Sequence, residues 1–221
     1  MKLALLGSGE FTAATKTIDD YIVNTYAPRT IAILATAAGQ EHDRHKWLDM
    51  ARRHYAEYDL TTLLVPIFDT VDANNPDLIA PLAQADWIFF SGGDPGYLLA
   101  VLSGSRLWQA VLDRLSAGAL VSGSSAGAMV LGNLVLCNPT RALFSSRTAN
   151  WRPGLNLIDH TVFPHFDRMQ KLKPVLKAIV KHSPPLVQST WVGIDENTAL
   201  IIDEGRTSIH GSGSVTYCGT I

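Results

Sequence analysis

Ser125 stands at the centre of Gly123-Ser124-Ser125-Ala126-Gly127, where the apolar run Ala119–Val121 ends and a second one, from Ala128 to Leu131, begins. A serine hydroxyl becomes a useful nucleophile only when an adjacent base takes its proton. A small-x-Ser-x-small turn between a buried strand and a helix is one device for presenting it. Such a turn holds its central residue in a strained backbone conformation and lifts the hydroxyl clear of the sheet. The residues two places away on each side must be small so that strand and helix can approach. Gly123 and Gly127 meet that demand, and Ala126 and Ala128 add room. A helix starting near Ala126 aims its first amides at any oxyanion formed beside Ser125. An ordinary strand-to-helix loop or a phosphate-binding turn has similar residues, so the chemistry depends on what else converges there.

A serine nucleophile needs a base, and the base needs an acid to orient it. Seven histidines are available. His42, His45 and His54 fall in a charged amphipathic stretch and are expected to face solvent; His42 and His45 could form an i, i+3 metal pair, but no further ligand lies at a suggestive spacing. His182 ends a helix, where a histidine complements the dipole. His160, His165 and His210 remain. Of these, His165 in Phe163-Pro164-His165-Phe166 directly follows an expected strand, where a loop emerges at a sheet edge. For the acid, Gly193-Ile194-Asp195-Glu196-Asn197 ends a short apolar strand with two adjacent carboxylates. Successive strand side chains point to opposite sides, so only one of the two can face a given histidine. Oxyanion amides are expected from Ala126 and from the loop Gly92-Gly93-Asp94, where glycine lets backbone approach a substrate closely.

The elements that must position these groups alternate. Leu3–Leu6, Thr30–Thr36, Leu60–Ile67, Trp87–Phe90 and Ala119–Val121 read as strands that are apolar throughout. Between them, Thr15–Tyr26, Gln40–Tyr58, Pro81–Ala85 and Tyr97–Leu115 read as helical. That pattern predicts a mostly parallel sheet with helices on both faces, a three-layer α/β/α sandwich, with chemistry at the strands' carboxyl ends. Glycine-rich loops follow Leu6, Phe90 and Val121. Beyond Gly132, Asn138–Asn156 reads as polar and irregular, Met169–His182 as a helix, and Thr161–Phe163, Trp191–Ile194, Ala199–Ile202, Thr207–His210 and Ser214–Tyr217 as short strands of a β-rich, largely antiparallel C-terminal part. With no composition break or repeat, residues 1–221 are expected to form one domain.

Composition narrows the partners. The chain has 221 residues, 47% hydrophobic and 17% charged, with a net charge of −2. No basic field attracts nucleic acid, and no apolar run approaches the ~18 residues of a membrane span. Met1–Gly9 reads as a first strand rather than a signal peptide. Two cysteines, Cys137 and Cys218, make no disulfide framework, so a reducing, cytoplasmic location is expected. A homodimer is compatible with all of this.

Taken in order, Ser91-Gly92-Gly93-Asp94, Gly123-Ser-Ser-Ala-Gly-Ala, Pro164-His165-Phe166 and Gly193-Ile-Asp-Glu196-Asn-Thr-Ala-Leu resemble the serine peptidase family of aspartyl dipeptidase and cyanophycinase. The resemblance covers nearly the whole chain. It implies a fold like the class I glutamine amidotransferases with serine in place of their cysteine, a Ser125–His165–Glu196 triad, oxyanion amides at Gly93 and Ala126, a small peptide as substrate, and neither metal nor cofactor. The chain departs from both branches: Pro95 stands where cyanophycinases carry glutamine after Gly-Gly-Asp, and Asp94 where the dipeptidases carry asparagine. Acidic specificity would need a cation, and Arg147 and Arg168 are the candidates, with Asp94 beside them at the site. Two other readings stay open. An α/β-hydrolase-type esterase would use His210 with Asp159, Asp167 or Asp195, although the chain lacks a His-Gly-Gly-Gly motif. A non-catalytic ligand-binding protein is the other: a nucleotide-binding or regulatory module would hold a phosphate on its glycine loops, and Gly7-x-Gly9 begins a dinucleotide fingerprint, but Thr12 stands where its third glycine belongs.

Overall fold

A computed structural model describes residues 1–144, 149–171 and 173–217. In chain order the strands are β1 (Lys2–Leu6), β2 (Thr30–Leu34), β3 (Thr61–Val65), β4 (Trp87–Phe90), β5 (Leu120–Ser124), β6 (Leu134–Leu136), β7 (Trp151–Pro153), β8 (Thr161–Phe163), β9 (Trp191–Ile194), β10 (Thr198–Asp203), β11 (Arg206–Gly211) and β12 (Val215–Tyr217). The helices are α1 (Lys16–Tyr26), α2 (Lys46–Tyr55), α3 (Pro76–Ile79), α4 (Pro95–Leu102), α5 (Arg106–Ser116), α6 (Ala126–Val130), α7 (Pro139–Phe144), α8 (Phe166–Lys171), α9 (Lys173–Lys181) and α10 (Pro185–Ser189).

Seven strands form the central sheet in the order β11-β10-β1-β5-β4-β2-β3. The five from β1 to β3 are parallel, and β10 and β11 extend the sheet antiparallel beyond β1. Strand residues alternate between two cores, as a pleat requires. Leu3, Leu5, Leu34, Phe90 and Val121 pack with Leu98, Val111 and Met129 of α4, α5 and α6. Ala4, Leu6, Ile33, Phe89 and Leu120 pack with Ile18, Ile22, Leu48 and Tyr55 of α1 and α2. The result is the expected α/β/α sandwich, whose strands read as continuous apolar runs because both faces are covered.

Three expectations change. The helix read across Tyr97–Leu115 is two helices, broken at Gly104 (φ +70°); Ser105 restarts the chain, its Oγ accepting from Trp108 N at 3.0 Å. The stretch Asn138–Asn156 contains α7 and also β7, which pairs with β6; that partner lies outside the stretch itself and leaves no local signal. The C-terminal part is not wholly antiparallel. In the small sheet β12-β9-β8, strands β8 and β9 run parallel, with Phe163 opposite Gly193. Helices α8 to α10 supply the long crossover that a parallel pair needs.

Candidate active site

Because β1, β5 and β4 are neighbours, their three carboxyl-end loops meet. At the end of β5, Ser125 has φ 50° and ψ −111° and caps the N-terminus of α6. Only close packing sustains that conformation in a residue with a side chain. A Cβ on Gly123 would lie 2.4 Å from the backbone of Gly127, and one on Gly127 would lie 2.3 Å from Phe90 O. Ser125 N donates to Leu6 O at 3.0 Å, fastening the turn to β1.

The parallel pair β8–β9 brings the candidate base His165 and the candidate acid Glu196 together. Phe163 and Gly193 lie side by side, so Pro164-His165 and Asp195-Glu196 leave from the same end. His165 also has positive φ, 52°. Its Nε2 lies 3.0 Å from Ser125 Oγ, and its Nδ1 lies 2.6 Å from Glu196 Oε1. Glu196 is held from two further directions. Arg168 Nε donates to its Oε2 at 2.9 Å, and its backbone N donates to Asp167 Oδ1 at 3.0 Å. Asp195 faces elsewhere: its Oδ2 accepts from Ser214 N and Oγ. Only Glu196 of the two adjacent carboxylates reaches the histidine; both lie beyond the end of β9, in the turn to β10, so it is the course of that turn rather than strand alternation that separates them.

The loop after β4 is positioned by backbone. Asp94 N donates to Ala37 O at 2.9 Å. Gly93 has φ +147°, and a Cβ there would lie 2.4 Å from Ala37 O. Gly93 and Ala126 line one cavity of about 330 Å³ together with Ser125, His165 and Arg168. Asp94 acts as a helix cap, its Oδ1 accepting from Tyr97 N at 2.8 Å. Arg147 lies outside the described residues.

One residue of this region was missed. Glu10, 6% exposed, accepts from Gly92 N through Oε1 at 2.8 Å and from Ser124 Oγ through Oε2 at 2.5 Å. A buried carboxylate thus joins the glycine loop after β4 to the serine turn after β5. The available signal was an acidic residue ending a glycine-rich loop at the carboxyl edge of β1; reading Gly7-x-Gly9 for nucleotide binding passed over it.

The other histidines are accounted for differently. His210 lies on β11, three strands or about 14 Å from β5 at the usual strand spacing. Its ring stacks on Tyr21 at 3.6 Å, its Nε2 bonds Ser208 Oγ at 3.0 Å, and burial lowers its pKa. The esterase arrangement is therefore not assembled: Asp159 accepts from Asn133 Nδ2, Asp167 is bound to Glu196 N and Asp195 to Ser214. His42 and His45 are exposed, but His54 is not, its side chain being 10% exposed with Nε2 2.9 Å from Asp19 Oδ2. The amphipathic pattern placed His54 on the solvent side because it does not register that α1 and α2 are neighbours. Among the described residues, no three His, Cys, Asp or Glu side chains gather as a metal site. No described helix is long and apolar enough to cross a membrane.

An elbow serine at the carboxyl edge of a parallel sheet, facing a histidine that is itself held by a carboxylate, defines a class of α/β proteins built like serine hydrolases. Within that class, the chain belongs to peptidase family S51, whose profile matches residues 3–210. A cyanophycinase of Synechococcus elongatus is 32% identical over 157 residues, which are 67% of this chain and 46% of that protein. The chain spans about half the length of the cyanophycinases it matches. An uncharacterised peptidase of Pasteurella multocida is 24% identical over 83% of this chain and 86% of its own. In structure, the chain is similar to a crystallised peptidase from an acI-B1 actinobacterium, with TM-score 0.80, 31% identity, and coverage of 100% of this chain and 91% of that one. A putative peptidase E of Listeria monocytogenes shares the fold, with TM-score 0.68, 17% identity, and coverage of 96% and 98%.

Proposed function

We propose that this chain is a serine peptidase that hydrolyses small peptides through Ser125, His165 and Glu196. The observation that carries the reading is the unbroken hydrogen-bonded chain from Ser125 Oγ to His165 Nε2 (3.0 Å) and from His165 Nδ1 to Glu196 Oε1 (2.6 Å). Ser125 Oγ attacks the scissile carbonyl while Nε2 takes its proton, and Glu196 stabilises the imidazolium that results. The amides of Gly93 and Ala126 hold the oxyanion. His165 returns the proton to the leaving amine, and water, activated by the same nitrogen, releases the acyl group from Ser125. Each proton moves through Ser125, His165 or water. The spare cysteine usage fits a cytoplasmic enzyme.

A fluorophosphonate probe followed by peptide mapping tests the reading. Modification at Ser125, abolished in His165→Ala, is the expected result; a label elsewhere, or none, removes Ser125 as nucleophile.

A further inference from the structure

The cavity beside Ser125 has a chemistry of its own. Beyond the reacting groups it is walled by Met129, Leu136, Phe163, Ile179, Met169 and proline rings. Met129, Leu136, Phe163 and Ile179 are each no more than 5% exposed, so the wall is part of the core and is already formed. These side chains come from five elements, α6, β6, β8, α8 and α9. Among the described lining residues the one cationic side chain is Arg168, and its Nε is engaged by Glu196. The described lining contains no carboxylate. A basic side chain entering here would exchange water for thioether, aliphatic and aromatic carbon with no carboxylate in the described lining to meet it, and an acidic one would find among the described lining residues only Arg168, whose charge already faces Glu196 and whose side chain is 69% exposed. An aliphatic or aromatic side chain would gain by the same exchange. At about 330 Å³ the cavity is near the lower end of small-molecule sites, a size suited to one large side chain rather than a polymer segment.

We propose that this cavity is the specificity pocket of the site and takes an apolar side chain, such as that of leucine, methionine or phenylalanine, from a residue flanking the scissile bond. The proposal rests on the serine-peptidase reading for its chemistry but can be tested apart from it. Ser125→Ala protein is titrated calorimetrically with dipeptides in which alanine is paired, in both orders, with leucine, phenylalanine, aspartate or arginine. In one orientation, the leucine or phenylalanine dipeptide is expected to bind at least about tenfold more tightly than any aspartate or arginine dipeptide, the discrimination typical of an apolar pocket. Equal or tighter binding of the charged dipeptides, or no binding by any, overturns the proposal. Met169 is only half-buried, so Met169→Arg in the same background tests the wall directly. It should weaken the leucine dipeptide and tighten the aspartate dipeptide, each by about tenfold; an unchanged order in a variant that melts like its parent overturns the proposal. Failure of the parent reading looks different: the wild-type protein would not take up fluorophosphonate at Ser125, whatever the dipeptide order.

Discussion

Arg168 Nε sits 2.9 Å from Glu196 Oε2, on the opposite oxygen from the one that meets His165. The cation expected to contact substrate is held instead against Glu196, the proposed acid. Its side chain is 69% exposed, and an exposed pair of this kind contributes only about 0.2–1 kcal/mol. Arg168→Ala should therefore lower kcat by about 1.4-fold to 5-fold, since about 1.4 kcal/mol is tenfold in rate, with KM little changed. Steady-state kinetics on the preferred dipeptide checks this. A loss concentrated in KM, and larger than tenfold, would make Arg168 a substrate contact instead.

Ser125 carries both the proposed chemistry and the backbone strain. Ser125→Ala should lower turnover by about 10⁴-fold or more, as loss of a triad nucleophile does, and leave the fold intact. Ser125→Gly should be equally inactive but more stable than Ser125→Ala by about 1 kcal/mol. Glycine adopts φ 50° without the steric cost a Cβ imposes, and this outweighs the extra entropy it gives the unfolded chain. Urea denaturation of the two variants measures the difference. A less stable glycine variant would mean that the turn is not strained.

Glu10 accepts from Gly92 N and Ser124 Oγ, so it sets the distance between the glycine loop and the serine turn without facing the cavity lining. A shift of about 1 Å in such a constellation can cost a hundredfold in rate. Glu10→Ala should lower kcat at least tenfold with KM within about twofold, and should destabilise the fold by about 1–3 kcal/mol through two unsatisfied buried donors. Glu10→Gln keeps an acceptor for Gly92 N and turns an amide group toward Ser124, whose hydroxyl can accept as well as donate. It should recover most of the stability and part of the rate. If the two variants lose kcat equally while differing in stability, Glu10 does not act through the geometry of the site.

What could be read from the chain follows from how local each signal is. Ser125, Gly123 and Gly127 declare themselves within five residues, because the steric demand of the turn is local. The parallel strands were legible because burial on both faces makes them apolar throughout. His165 and Glu196 could be placed at strand ends, but their meeting depends on β8 and β9 running parallel, a pairing across helices α8 to α10 that no local pattern states. Glu10 escaped for the same reason, its partners being 82 and 114 residues away. The break at Gly104 was legible in principle, since Ser-Gly-Ser interrupts an otherwise helical run, yet the continuous apolar spacing on either side masked it.

Tyr55 gives a prediction about stability rather than chemistry. It is 1% exposed and donates to Asp19 Oδ1 at 3.0 Å, while His54 holds Oδ2. Burial, and then the charge of Asp19, push the Tyr55 hydroxyl well above its ordinary range. Tyr58, in the bend just beyond α2, is pushed up to about 12 by burial and by its bond to Asp20. A group whose folded pKa is raised contributes stability that is complete below its unfolded value, near 10, and is lost as pH rises above it, because the unfolded chain releases the proton first. The protein should therefore lose stability progressively above about pH 10. Tyr55→Phe removes a hydrogen bond to a charged acceptor and should cost about 1.5–3 kcal/mol at pH 7. It should also flatten the alkaline limb, since phenylalanine has no proton to lose. Urea midpoints at pH 7, 9, 10 and 11 for both proteins test the two effects together. Parallel alkaline limbs would show that Tyr55 is not the group that resists ionisation, and an unchanged midpoint at pH 7 would show that Asp19 does not depend on it.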